Sequence, residues 1–432
     1  GEFELELFGL RPPAAEKRHF SLSAFGTQHL LLDAENIRDS YGTYLVRRVS
    51  GSKSGVPHCL TAFYRFSVPG MGPASGKAVE YAYALPALSA STGNSAGAYN
   101  SYNPEPGGLP VYNWLSVVNL DAAPFQGRIE FYDQSGALLA DVSGRLPVLG
   151  PGVRTDIACG HERGEVVGLY RIIPDNAKQK YSAFITRYAP KQDSGYRFAF
   201  TLLSSAGRSA SGPVPISTMA EASNWVEVAN VGDTSTALSL EIRDSSGKLV
   251  HQEEQELAAF SQSHLFINRY LGEANLGNIS VSARNDAAKI LVQSLFYGRQ
   301  APNSPALEWA YASQAGSELP GGRVLAVSHV NTHLGAANWN KLLNGGVDLQ
   351  LGLRLGDSSG ASIASSGILV PGFGSVDWPA HQSVGANFVG AAFFEANLGQ
   401  SSLRSELLRV FPRGDGAVGY IMNIPSAYVI EE

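Results

Sequence analysis

Charge is scarce in this 432-residue chain. Charged side chains make up 16% of it, against roughly 25% in an average soluble protein, and they sum to a net charge of −6. Lys and Arg form nothing larger than local pairs such as Arg47-Arg48. A nucleic-acid binder carries a basic patch or stripe, so nucleic acid is not an expected partner. Cysteine is nearly absent: there is only Cys59 and Cys159. They fall at different points of the repeat described below, and a bridge needs Cα atoms within about 7 Å, so two separate thiols are expected. Two cysteines fit an exported and a cytosolic protein equally well. No apolar run reaches the roughly 18 residues of a membrane helix, so a membrane-spanning helix is not expected. No export signal is recognisable. Because Gly1-Glu2-Phe3 reads as a cloning remnant, that lack decides nothing about compartment. Sustained helical periodicity is missing as well.

What the chain has is repetition. Hydrophobic residues are 44% of it and glycines number 47, a mix that suits many short strands and tight turns. Three segments align: Asn113-Trp114-Leu115-Ser116-Val117-Val118-Asn119, Asn224-Trp225-Val226-Glu227-Val228-Ala229-Asn230 and Asn338-Trp339-Asn340-Lys341-Leu342-Leu343-Asn344. Their tryptophans lie 111 and 114 residues apart. Internal periodicity of this kind marks a repeat architecture. Each segment is followed by a strand and turn: IEFYDQSG (129–136), LEIRDSSG (240–247) and LRLGDSSG (353–360). Next come an apolar turn, a second strand and an aromatic strand such as SAFITRYAP. The stretches 3–10, 23–33 and 59–67 match the back half of the same unit, so the first copy lacks its Asn-Trp strand. A further aromatic strand separates the copies at 79–88, 196–205 and 307–315, and 419–427 repeats it.

These segments alternate apolar and polar residues with a period of two, as half-buried strands do. The Asp-x-Ser-Gly tetrads are hairpin signals, with Asp capping the turn and Gly supplying a positive φ. About seven strands per unit of roughly 110 residues predicts tandem β-sandwiches. The expected divisions are a partial first repeat (1–67), repeats over 68–190, 191–300 and 301–413, and a terminal strand (414–432). The alternative all-β architecture is a β-propeller closed by both chain ends.

The shared pattern is a Trp strand ending in Asn, a strand ending Asp-x-x-Gly, a Leu-Pro-x-x-Gly turn and a Gly-Val strand. In this it resembles the Ig-like or fibronectin-like sandwich repeats of bacterial surface and secreted proteins, over most of 110–190, 222–300 and 336–413. The resemblance implies a non-enzymatic role in adhesion, spacing or assembly at an extracellular or cell-surface location, with the periplasm as the other compartment. It carries no catalytic residues.

Candidate sites are few. Gly93-Asn94-Ser95-Ala96-Gly97 matches the nucleophile-elbow pattern, but that motif needs a strand–turn–helix context, which a Ser/Gly/Ala-rich linker does not offer. His329 and His333 are four apart on what reads as strand and loop, and Cys159-Gly160-His161-Glu162 has ligand types without a second cluster. Neither reads as a metal site. Glu253, Glu254 and Glu256 read as a solvated strand edge. Asp133, Asp244 and Asp357 read as turn caps, since calcium wants several oxygens. Trp114, Trp225 and Trp339 are expected in the core between the sheets. No cofactor is expected.

The segment 99–114 is the longest insertion among the copies. It sets Tyr99, Tyr102 and Tyr112 among Asn, Pro and Gly. Long loops more often carry function, and aromatic rings beside amides suit a glycan or a peptide. These three tyrosines are the ligand-binding candidates, with a protein or glycan on a surface as the ligand. The C-terminal strand 419–427 is a second candidate contact, for self-association by strand addition.

Overall fold

Alternating side chains become strands here because one face of each meets a second sheet. In Thr236–Asp244 the residues Leu238, Leu240 and Ile242 are buried, and the intervening Ser239 and Glu241 turn outward. A computed structural model describes residues 1–8, 17–32, 42–50, 58–66, 79–87, 90–103, 105, 107–192, 195–299, 306–316, 321–413 and 416–431. Among these residues unit 1 forms β1 (Glu2–Phe8), β2 (Lys17–Ser21), β3 (Thr43–Ser50), β4 (Leu60–Phe66) and β5 (Val79–Pro86). Unit 2 forms β6 (Ser95–Asn100), β7 (Tyr112–Asn119), β8 (Gly127–Asp133), β9 (Gly144–Arg145), β10 (Arg154–Ala158), β11 (Val167–Pro174), β12 (Tyr181–Pro190) and β13 (Tyr196–Leu203). Unit 3 forms β14 (Val214–Ser217), β15 (Ser223–Asn230), β16 (Thr236–Asp244), β17 (Leu249–Leu257), β18 (Gln262–Phe266), β19 (Leu276–Ala283), β20 (Ile290–Arg299) and β21 (Leu307–Gln314). Unit 4 forms β22 (Arg323–Asn331), β23 (Ala337–Asn344), β24 (Leu349–Asp357), β25 (Ser362–Val370), β26 (Ser375–Pro379), β27 (Val389–Asn397), β28 (Leu403–Pro412), β29 (Val418–Pro425) and β30 (Ala427–Glu431).

The protein is all-β, and its units are sandwiches of two antiparallel sheets. Unit 2 pairs the sheet β6-β11-β8-β9 with β10-β7-β12-β13, and unit 3 repeats this as β14-β19-β16-β17 with β18-β15-β20-β21. Unit 4 has β26-β23-β28-β29 and a five-stranded β25-β24-β27-β22-β30. Unit 1 has β2-β1-β3 and the pair β4-β5. The aromatic strand after each repeat is hydrogen-bonded to the strand before it, as β13 is to β12 from Phe184↔Leu203 to Pro190↔Tyr196. It therefore closes the preceding unit. The expected boundary after residue 190 cuts a hairpin, and those after 67, 300 and 413 adjoin or fall outside the described residues.

The four units form a closed ring. The inner strand β13 packs against both β5 and β21, and β29 packs against β21 and β5. Tyr81 and Tyr83 of β5 meet Tyr188 of unit 2 with ring centroids 6.0 and 6.2 Å apart. Phe198 and Phe200 of β13 meet Tyr297 of unit 3 at 5.9 and 6.5 Å. Trp309 and Tyr311 of β21 share a cluster with Leu408 and Val410 of unit 4. Tyr64 of unit 1 closes the circle against Phe411 at 6.1 Å. Packing on both faces explains why β12 and β20 are buried along almost their whole length instead of alternating. The closing contact is side-chain packing and not the completion of a blade by both chain ends. The 419–427 segment is engaged inside its own unit, with β29 paired to β28 and β30 to β22.

Three of the four junctions share one joint. The turn Asp133–Gly136 is held by Asp133 Oδ1, which accepts Ser135 N at 2.9 Å, Ser135 Oγ at 2.6 Å and Ala137 N at 3.0 Å. Asp244 and Asp357 do the same in their units. The next unit seats a phenylalanine of positive φ against that turn: Phe260 (54°), Phe373 (54°) and Phe25 (61°). Arg171, Arg243 and Arg354 of the preceding unit lie over these rings at 5.2, 4.9 and 3.9 Å, in reach for a cation–π contact. Backbone bonds fasten each joint: Gln262 N to Gln134 O (3.1 Å), Ser375 N to Ser245 O (2.9 Å) and Thr27 N to Ser358 O (2.9 Å). The turn glycine answers two demands. Gly247 has φ 87°, and a Cβ there would sit 1.9 Å from Gly372 O of the next unit.

Candidate binding surface at the junction of the first two units

The junction between units 1 and 2 departs from this scheme. At the position of the seated phenylalanine, two residues before β10, unit 2 carries Gly152, with φ 71°. Aromatic side chains take over the contact. Phe63 stacks on Tyr83 (5.1 Å), Tyr83 meets Tyr188 (6.2 Å), and Tyr188 meets Tyr196 (5.3 Å). Tyr196 then meets Tyr112 (6.3 Å), and His161 bridges Tyr112 (5.0 Å) and Trp114 (5.2 Å). Tyr81 fills the middle against Tyr188 and Tyr196. The result is an unbroken band of rings that is buried in the middle and open at both ends.

Local structure fixes each ring. Tyr112 and Trp114 are two apart on β7 and so share one face of the sheet. His161 Nδ1 accepts the backbone N–H of Asn113 at 3.1 Å, which places the other ring proton on Nε2 in the neutral imidazole. Burial lowers its pKa, against the opposing pull of Glu162 and two backbone bonds. Burial raises the phenols of Tyr81, Tyr83 and Tyr188. A charged rim runs beside it: Glu80 accepts Tyr196 N at 2.9 Å, Lys191 Nζ at 3.2 Å and Arg65 Nε at 3.3 Å.

The three candidate tyrosines part company. Tyr99 lies on β6 inside the unit 2 core and is 1% exposed, its hydroxyl donating to Tyr132 O at 3.0 Å. It has no face to offer a ligand, because the β-alternation that brings Ala98 to one side sends Tyr99 to the other. Tyr102 is 56% exposed. Tyr112 belongs to the aromatic band. Described residues between them are tied: Val111 N donates to Ser101 O (3.0 Å), Asn103 Nδ2 to Leu109 O (2.7 Å), and Arg197 pairs with Glu105.

The tryptophans also fall elsewhere than expected. Trp114 is 38% exposed and the other two are half-buried, each lying on the outer sheet face beside His161, Phe266 or His381. The fully buried repeat residues are the flanking asparagines, among them Asn113, Asn119, Asn224 and Asn344. Asn344 Nδ2, for example, holds Val347 O at 2.6 Å and Pro371 O at 3.2 Å. A strand ending in Asn carried this signal, since a buried amide satisfies several loop carbonyls at once.

The remaining motifs resolve plainly. Ser95 starts β6 and accepts Tyr181 OH at 2.7 Å, so the Gly93–Gly97 pattern is no elbow. Glu254 pairs with Arg284 and Glu253 with His251 along β17. Cys59 and Cys159 are both free thiols. No cluster of three or more His, Cys, Asp or Glu able to hold a metal occurs among the described residues. His329 of β22 is half-buried, its Nε2 3.0 Å from His29 Nε2 of unit 1. Burial, Arg409, His29 and His58 hold its pKa well below the usual value. On the ring axis, Tyr83, Phe200, Tyr311 and Met422 surround a void of about 20 Å³, room for about one water.

A buried ion pair spans units 2 and 3 without any sequence motif to announce it. Arg187 of β12 donates from Nη1 (3.1 Å) and Nη2 (2.9 Å) to Glu227 of β15, which also accepts Asn100 Nδ2 at 2.8 Å and a bond from Gln293. Burial raises the Glu227 pKa, but Arg187 and His264 outweigh it and hold the carboxyl at about 2.

No protein-family model matches the chain, and no curated protein matches it in sequence.

Proposed function

We propose that this protein is a non-catalytic recognition and assembly module that acts in adhesion through carbohydrate bound at the aromatic band of units 1 and 2. The observation that carries the reading is the run from Tyr196 through Tyr112 and His161 to the exposed Trp114, with Tyr102 on the adjoining tied loop. Flat apolar ring faces next to hydrogen-bonding groups are what a sugar's C–H face and hydroxyls require. A tied loop and a packed ring present those rings at low ordering cost, which favours affinity. Adhesion and assembly are preferred over spacing, because a ring with β29 against β5 has no long axis to extend. We read the sandwich units as Ig-like or fibronectin-like repeats of the bacterial surface type, and the compartment as extracellular, cell-surface or periplasmic.

The test is a glycan array followed by titration calorimetry of the best glycan against Trp114→Ala, Tyr112→Ala and Tyr102→Ala. Trp114→Ala should weaken binding at least tenfold and leave the fold intact. Absence of any glycan ligand, or affinity unchanged in all three variants, would remove the reading.

A further inference from the structure

One strand position recurs in all four units: the sheet edge beside β1, β8, β16 and β24, filled by β2, β9, β17 and β25. An edge offers a row of N–H and C=O groups to any other strand, and natural proteins blunt it with shortness, charge, proline or a bulge. Three of these edges follow that rule. β9 is two residues long. β2 carries Lys17, Arg18 and His19, and β17 carries Glu253, Glu254 and Glu256 beside His251. β25 differs. It runs for nine residues, Ser-Ile-Ala-Ser-Ser-Gly-Ile-Leu-Val, without a charged side chain or a proline. Its one irregularity falls at its start, where Leu355↔Ala364 gives way to Gly356↔Ser362.

The edge is also open. Every residue from 321 to 413 is described, and among the described residues β25 takes β24 as its ladder partner, at the end of the order β25-β24-β27-β22-β30. It lies on the outer side of its unit, since β22, toward the other end of that sheet, is the strand that packs on the inner strand β29. Ser362 through Gly367 are exposed without a break. Ile363 is 46% and Leu369 56% exposed. Both stand on the face away from the core, where Gln350, Gly352 and Arg354 of β24 also point.

We propose that β25 is a self-association edge, which pairs antiparallel with β25 of a second copy about a two-fold axis and joins the two five-stranded sheets into one. Two features select a second copy as the occupant. The first is charge. A two-fold contact brings residues near the axis against their own images, and like charges directly opposite are destabilising. The glutamates of β17 and the Lys17-Arg18 pair of β2 therefore oppose self-pairing, and β25 carries nothing that does. The second is register. A two-fold perpendicular to the sheet keeps each face on its own side, so paired residues share a face and one residue meets itself on the axis. With Ser366 on the axis, Ile363 stands opposite Leu369 of the second copy and Ala364 opposite Ile368. The exposed apolar side chains at the two ends of the strand then cover each other twice. Main-chain bonds supply the affinity, as in other strand additions. One pair of strands buries less surface than a stable interface does, so the dimer depends on concentration. The aromatic band lies at the junction of units 1 and 2, and this inference does not rest on glycan binding.

The experiment is sedimentation velocity with light scattering on the full chain over a wide range of concentration. The molar mass should rise from 45.9 kDa toward twice that value, and amide exchange over residues 363–369 should slow in the dimer. Ser366→Lys and Ser366→Asp, at an exposed position, should each stay monomeric with an unchanged circular dichroism spectrum, because like charges meet on the axis. Mixing the two variants should restore the dimer, now with opposite charges on the axis. Trp114→Ala should dimerise as the wild type does. A wild-type mass that stays at 45.9 kDa at every concentration, a dimer that survives in Ser366→Lys alone, or a mixture of the two variants that stays monomeric would overturn the proposal.

Discussion

Replacing Glu227 by Ala tests whether the ring is held by a buried charge pair. The substitution leaves the Arg187 guanidinium, fully buried, with Ala98 O (3.1 Å) as its remaining hydrogen-bond acceptor and the Phe200 ring at 5.9 Å. Removing one partner of such a pair costs about 3–5 kcal/mol, because the other charge stays buried and uncompensated. Proton linkage gives a second route to the size. The carboxyl moves from 4.5 to about 2 on folding, and at about 1.4 kcal/mol per unit this is about 3 kcal/mol. The sign follows from the lowered pKa. The stabilisation is complete above pH 4.5 and is lost as pH falls toward 2. Urea unfolding of wild type and Glu227→Ala should therefore differ by about 3–5 kcal/mol at pH 7, and the gap should narrow steadily between pH 4.5 and 2.5. The double replacement Arg187→Met with Glu227→Leu should recover most of the loss, since apolar packing can substitute for a buried pair. A difference under about 1 kcal/mol at pH 7, or one that does not change with acid, would refute the reasoning.

Three further substitutions address the junction of units 4 and 1. His329 is half-buried and neutral, with Arg409 Nη2 3.2 Å from its Nδ1, His29 on its Nε2 and His58 near by, while His333 acts on His29. Its lowered pKa means that below about pH 6.5 the unfolded chain takes up a proton that the folded one refuses, so stability should fall by about 1.4 kcal/mol per pH unit from this residue alone. Urea midpoints from pH 7 to 5.5 should show a shallower slope for His329→Asn, and an unchanged slope would contradict the assignment. Phe25→Ala removes the contacts with Arg354 and Phe393 and should cost about 1–2 kcal/mol and speed amide exchange in β1 and β3. Phe25→Gly should be less damaging than Phe25→Ala by about 1 kcal/mol, because φ at this site is positive and glycine adopts it without strain.

Strand content, repeat length and the sandwich class were legible in the sequence because they depend on local chemistry: a period of two in hydrophobicity, Asp and Gly at turns, and recurrence of the Asn-Trp segment. The Asp133, Asp244 and Asp357 caps followed from the same local rules and stand as expected. A long aromatic insertion pointed to Tyr102 and Tyr112, but the side of β6 that faces the core, and so the burial of Tyr99, is a property of the packed sandwich. Only the tertiary structure decided where the units meet. The glycine of Asp-x-Ser-Gly has a local reason in its φ, yet Gly136, Gly247 and Gly360 also admit a carbonyl of the following unit at distances no Cβ would allow. The ring itself depends on contacts between residues far apart in the chain, Tyr81 with Tyr188, Arg187 with Glu227 and His29 with His329. Pairings of that separation leave no periodic trace in one sequence. They exist because each unit has a second apolar face, and closing the ring buries the last of those faces against the first unit.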